Sequence, residues 1–172
     1  MRRLGDSSSV SKYLLTRTTA PTPPRRRRRR AEIFGASVDG TVRRFDLRMG
    51  AVVTDDLHSP VTCVAVSRDG RCVAAACTDA RVRLLDRDSG ALLGEYAGHA
   101  HASSKLDAAF MPSDGYVAAG SEDGRVVYWE VVEGGVAAEF EAHGDVVTSL
   151  AVHPRGECLL TASVDGTVKV WN

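Results

Sequence analysis

The sequence predicts an all-β fold made of a repeated four-stranded unit, and three observations carry that expectation. Four segments align without gaps: Ser37–Asp46, Cys77–Asp86, Ser121–Glu130 and Ser163–Asn172. Their aspartates, Asp39, Asp79, Asp123 and Asp165, fall 40, 44 and 42 residues apart. Between them lie short runs of alternating apolar and polar residues bounded by Gly, Asp and Pro, with no convincing helical spacing. Period-2 alternation is what a half-buried strand requires, because successive side chains leave opposite faces of a sheet.

Taken in order, residues 1–30 read as a disordered leader. They hold ten basic groups against one acid, Asp6, and their Ser, Thr, Pro and Arg cannot pack a core. Residues 31–172 form the repeat domain, whose balance is −9 against the leader's +9. Its first unit shows a second, third and fourth strand but no clear first one. The second unit supplies all four, near Val61–Val66, Cys72–Ala76, Arg81–Asp86 and Ala91–Tyr96. The third repeats the set between Leu106 and Phe140, and the fourth reaches its third strand at Trp171-Asn172. The Asp-Gly pairs at 39–40, 123–124 and 165–166 suit tight hairpins, since glycine takes positive φ without a Cβ clash. Ala80 breaks that rule in the second unit and leaves its turn type open.

Composition narrows the function classes. The chain of 172 residues and 18.4 kDa is sized for one domain. No apolar run approaches the roughly 18 residues of a membrane helix, so no membrane partner is expected. Cys63, Cys72, Cys77 and Cys158 show no CxxC pair and read as core thiols. No Gly-rich phosphate loop, HExxH motif or paired-carboxylate constellation is visible, so no catalytic residue, cofactor or metal is expected. His101 and His153 lack partners at ligand spacing and read as surface residues.

Units of 40 to 44 residues with a histidine early and Trp-Asp-like pairs late resemble WD40 repeats, the blades of a β-propeller. Gly98-His99 matches the Gly-His pair, while Ala142-His143 and Leu57-His58 keep only the histidine. Phe45-Asp46, Leu85-Asp86, Trp129-Glu130 and Trp171-Asn172 stand where Trp-Asp would. The stretches 37–50, 84–99 and 121–129, with His153-Pro154 and Cys158–Ala162, also resemble the mitogen-activated protein kinase organizer family of WD40 proteins. The resemblance implies an incomplete propeller of about three and a half blades where the family usually has seven. It also implies a non-catalytic scaffold, working with signalling kinases in the cytoplasm and with spliceosomal components of mRNA splicing in the nucleus.

The same resemblance places two structural hydrogen-bond tetrads, His99, Ser121, Asp123, Trp129 and His143, Ser163, Asp165, Trp171. A hydrolase-like reading of His99 and Ser121 is rejected, because a catalytic trio does not recur at a repeat period. In the second unit Cys77 and Leu85 replace two members, so that set is read as broken. Loops of the propeller's top face are the expected protein-binding elements. The polar connection from Ala97 to Lys105 is the longest and is expected to be exposed, which nominates His101, Ser103 and Lys105. Arg81 and Arg125 beside the tight turns are further candidates.

The competing class is an RNA-processing subunit that touches nucleic acid through Arg25, Arg26, Arg27, Arg28, Arg29 and Arg30. Those arginines also read as a nuclear-import run, an organelle transit signal or GC-rich sequence from an unintended start. No aromatic residue interleaves with them, and the acidic repeats argue against direct nucleic-acid contact by the blades. Missing blades are expected to reflect a truncated or mis-started gene model whose upstream blades are lost, a short isoform, or two arcs self-associating through open blade faces into one ring, and a non-functional truncated gene product is the further alternative to a scaffold.

Overall fold

The computed structural model describes residues 12–15, as backbone, and 31–172. Every regular element among them is a β-strand, and the strands form four antiparallel sheets. The first joins β1 (Lys12–Leu15), β2 (Glu32–Ala36), β3 (Thr41–Asp46) and β4 (Ala51–Asp56). The second joins β5 (Val61–Val66), β6 (Cys72–Cys77), β7 (Arg81–Asp86) and β8 (Leu92–Ala97). The third runs through β9 (Ala108–Phe110), β10 (Tyr116–Gly120), β11 (Arg125–Glu130) and β12 (Val136–Glu141). The fourth has three strands, β13 (Val147–Val152), β14 (Leu159–Ser163) and β15 (Val168–Trp171). These are consecutive blades of an incomplete propeller.

The first sheet departs from the sequence reading in one feature, and the second answers a question that reading left open. The first blade does have an inner strand, because Lys12–Leu15 pairs antiparallel with β2, Leu14 opposite Phe34. Four residues flanked by Ser, Thr and Arg carry too little alternation to announce a strand. In the second blade Ala80 takes φ +59, so it holds the same left-handed position as Gly40, Gly124 and Gly166. The turn is kept and the alanine carries the strain.

Apolar faces are buried between neighbouring sheets rather than within one central core. Phe34, Ala36 and Val42 meet Val64, Val73, Ala75 and Leu85 between blades one and two. Ala74, Ala76, Val82 and Leu84 meet Val117, Ala119 and Trp129 between blades two and three. Ala118 and Val126 meet Leu150 and Leu159, with Tyr128, Phe140 and Trp171 at the edge, between blades three and four. Strand β6 is all but sealed, and its small residues (Cys-Val-Ala-Ala-Ala-Cys) let sheets close on both of its faces. The outer strands β4, β8 and β12 are mostly exposed.

Polar contacts lock the same junctions. Arg87 Nε donates to the buried Glu32 carboxylate at 3.0 Å, its guanidinium lies 5.6 Å from the Phe34 ring centre, and its Nη1 reaches the Gly70 carbonyl at 2.9 Å. One junction further, the backbone N–H groups of Arg68 and Asp69 donate to the two Asp114 carboxylate oxygens at 2.8 and 2.9 Å. All four cysteines are free thiols, Cys63 and Cys77 buried and Cys72 and Cys158 half-buried.

Candidate functional site

The repeating histidine, hydroxyl, aspartate and tryptophan meet fully in one blade. In the fourth, the wholly buried His143 side chain places Nδ1 3.0 Å from Asp165 Oδ2 and Nε2 2.7 Å from Thr161 Oγ1. Trp171 Nε1 donates to the same Thr161 hydroxyl at 2.9 Å. With the carboxylate accepting from Nδ1–H, Nε2 is the acceptor and the Thr161 O–H donates to it. Asp165 also accepts from Thr167 Oγ1 at 2.7 Å and from its backbone N–H at 2.8 Å, and these bonds hold its carboxyl far below the usual carboxylate range. The hydroxyl at the centre is therefore Thr161. Ser163, the residue the repeat alignment points to, instead donates to the Asp145 carbonyl at 3.0 Å and accepts from Asp165 N–H.

The third blade does not assemble the set. The position two residues before Ser121 is Ala119, so there is no hydroxyl where Thr161 stands in the fourth. Trp129 Nε1 donates to the Ala97 carbonyl at 2.8 Å, and the His99 ring meets Trp129 edge-on at 5.2 Å between centroids. Ser121 Oγ accepts from Ala100 N–H at 2.9 Å. Asp123 turns to Arg125, at 2.9 and 2.7 Å, which pulls its carboxyl down to about 2. His99, Ser121, Asp123 and Trp129 are thus neighbours without a shared network, and no nucleophile–base pair joins Ser121 to His99. Both His99 ring nitrogens are buried without a hydrogen-bond partner among the described residues. Burial, with His101 5.7 Å away, pushes its pKa down to about 4.

In the second blade His58 is exposed at φ +57 and sits over Asp56, with Nδ1 to Oδ1 3.3 Å. Asp79 binds Arg83, with Oδ2 to Nη2 2.6 Å, and Arg83 also reaches Glu95 at 2.9 Å. The expected loss of the tetrad there agrees with this geometry.

The long connection 98–107 is built differently from the sequence expectation. It folds inward: His101 is 3% exposed, with Nε2 3.0 Å from the Ser104 carbonyl and 3.4 Å from Thr62 Oγ1. His101 is therefore removed from the exposed protein-binding candidates, and its burial lowers its pKa. Ser103 and Lys105 remain exposed. A residue that sequence reasoning missed holds the loop, because Glu122 Oε1 accepts the Ser103 and Ser104 backbone N–H groups at 2.9 and 2.7 Å. Those bonds bring the Glu122 carboxyl down to about 2. Its signal in the sequence is positional, since the aligned residues are Val38, Thr78 and Val164. Arg81 is exposed and touches Glu95 at 3.5 Å, while Arg125 is held by Asp123 and by Glu139 at 2.6 Å. His153 is half-buried beside Glu157. Arg25 to Arg30 lie outside the described residues. Among the described residues no three His, Cys, Asp or Glu side chains converge as a metal site.

Comparison with known proteins follows the same repeats. The family described as WD domain, G-beta repeat, matches residues 52–86, 90–130 and 134–172. WD repeat domain-containing protein 83 of Rattus norvegicus is 49% identical over 140 residues, which is 81% of this chain and 44% of that protein. The Homo sapiens protein of the same name is 49% identical over 128 residues, 74% of this chain and 40% of the relative. The Dictyostelium discoideum homolog is 33% identical over 141 residues, 82% of this chain and 43% of its own. The chain spans less than half the length of these relatives.

Proposed function

Because the chain belongs to the WD40, G-beta repeat family, we propose that it is a non-catalytic protein-interaction scaffold of the kinase-organizer type. The single observation that carries the reading is the connection 98–107, held rigid from beneath and displayed on one face. Glu122 fixes its backbone through Ser103 and Ser104, His101 plugs its underside, and Ser103 and Lys105 stand in solvent. A loop whose entropy is already spent binds without a further ordering cost. Arg81, exposed at the start of β7 and paired opposite Ala97, extends the same kind of polar surface.

The resemblance of stretches 37–50, 84–99 and 121–129 to the kinase-organizer family favours signalling kinases or spliceosomal components as the partner set, in cytoplasm and nucleus. The excess of acid over base in residues 31–172 supports protein contacts over direct contacts between blades and nucleic acid. The test is affinity purification of the tagged chain beside a Ser103→Glu, Lys105→Glu, Arg81→Glu variant. Kinases of a mitogen-activated cascade or spliceosomal proteins are expected with the parent and depleted at least about tenfold with the variant. Equal recovery by both removes this surface from the function.

A further inference from the structure

The connection 98–107 buries a pair of imidazoles whose nitrogens go largely unused. His99 and His101 are 5% and 3% exposed, with ring centres 5.7 Å apart. Both nitrogens of His99 and Nδ1 of His101 are buried with no hydrogen bond among the described residues. Buried polar atoms are rarely left bare, and three in one place call for a ligand. The pair is particular to this connection. In blade four the aligned His143 spends both nitrogens on Asp165 and Thr161. Around His99 those roles are lost, because Ala119 stands for Thr161 and Asp123 is taken by Arg125. Two residues beyond His58 and His143 stand Pro60 and Asp145, where this connection has its second histidine.

The backbone sets the chemistry of these donors. The Ser104 carbonyl can only accept, so its 3.0 Å contact with His101 Nε2 puts the proton there and leaves Nδ1 as a bare lone pair. A carbonyl on the far nitrogen is the usual support of a metal-bound histidine. Ala100, between the two, is pinned at both backbone groups: its N–H donates to Ser121 Oγ and its carbonyl accepts from Glu122 N–H, each at 2.9 Å. Burial lowers both pKa values, so both rings are neutral at pH 7. Glu122 and Asp79 add negative potential at both rings, and Asp123 does so at His99. Asp79 and Asp123 are paired with Arg83 and Arg125, whereas Glu122 is held by neutral N–H groups.

The donor count selects the ion. Zinc takes four ligands, at least three of them from protein, and among the described residues no third His, Cys, Asp or Glu converges here. Magnesium and calcium need oxygen donors. Two neutral nitrogens suit a monovalent d10 ion, which is satisfied by two opposed ligands. With metal–nitrogen bonds of about 2 Å and roughly 1.1 Å from nitrogen to ring centre, two rings sharing an ion stand about 5 to 6 Å apart. The observed spacing falls in that range. We propose that His99 and His101 hold a copper(I) ion between them, in a two-coordinate site within this connection. The site does not rest on the scaffold reading.

The test titrates the full 172-residue chain with copper(I) under anaerobic conditions against the chelator bicinchoninate, with silver(I) as the redox-inert probe for NMR. One ion per chain is expected, with an X-ray absorption first shell of imidazole nitrogen alone. Silver(I) should shift the His99 and His101 ring nitrogens and leave those of His58, His143 and His153 in place. His99→Phe and His101→Phe should each weaken copper(I) binding by at least about a hundredfold. Sulfur in the first shell, which puts the ion on the half-buried Cys72 or Cys158, overturns the site. So does a chain that cannot compete with the chelator, or an affinity that both variants retain. If a variant does not fold, the ring-nitrogen shifts of the parent decide alone.

Discussion

Thr161→Val tests whether the fourth blade is held by its buried network or only by apolar contact. The substitution keeps the volume and branching of a side chain that is 1% exposed and removes one hydroxyl. Two partners lose their bonds. His143 Nε2 accepts at 2.7 Å and Trp171 Nε1 donates at 2.9 Å, and neither has another hydrogen-bond partner among the described residues. A buried polar atom stripped of its bond costs about 1–3 kcal/mol. His143, wholly buried, carries the larger share, and the half-buried Trp171 recovers part of its bond from water. Burial of the new methyl offsets about 1 kcal/mol. The net expectation is a loss of about 2 kcal/mol, or roughly 6 °C in Tm for a chain of this size.

Urea unfolding followed by tryptophan fluorescence reads the change directly, because Trp171 is a member of the network. The midpoint should fall while the slope m stays constant. Ser163→Ala serves as the internal comparison: its hydroxyl lies near the surface between Asp145 and Asp165 and should cost about 0.5 kcal/mol. A Thr161→Val cost below about 0.5 kcal/mol, or one smaller than that of Ser163→Ala, refutes the assignment of Thr161 as the central hydroxyl.

The remaining predictions address backbone and protonation. Ala80→Gly should stabilise the chain by about 0.5 kcal/mol in urea unfolding, because φ +59 costs an alanine more than glycine's added freedom when unfolded. Gly120→Ala should lower Tm by 6 °C or more, about 2 kcal/mol or above, since its Cβ would stand 2.2 Å from the Val147 carbonyl oxygen in the neighbouring blade. His99, with a folded pKa near 4 against an unfolded 6.5, contributes stability that is complete above pH 6.5 and lost as pH falls from 6.5 towards 4. That loss should be about 3 kcal/mol over the interval, and a His99→Phe variant should show a flatter profile across the same range.

How much of this was legible in the sequence depends on what kind of information a repeat carries. The strands of the second blade were readable to within a residue or two, because Val-Thr-Cys-Val-Ala-Val and its neighbours alternate cleanly between turn residues. Strand β1 was not, since four residues in an Arg- and Ser-rich stretch give alternation nothing to repeat. The site failed for a different reason. Alternation assigns a side chain to a face of a sheet but not to a depth along the strand. Thr161 and Ser163 share a face, and both carry a hydroxyl. Which of them meets His143 is decided by how far the Trp171 indole reaches, with Trp171 paired opposite Leu159.

The same limit applies to His101 and Glu122. A histidine among alanines and serines in a long connection looks solvated until a carboxylate from a neighbouring turn captures the backbone two and three residues beyond it. What distinguishes these residues is their singularity within an aligned column. Thr161 stands alone against Gly35, Ala75 and Ala119, and Glu122 against Val38, Thr78 and Val164. In a repeat protein the positions that agree across units build the blade, and they do so by burying the same apolar faces at each junction. The positions that disagree are where one blade does something the others do not. Among the described residues they mark the blade with a complete polar network and the connection whose backbone a carboxylate fixes from beneath.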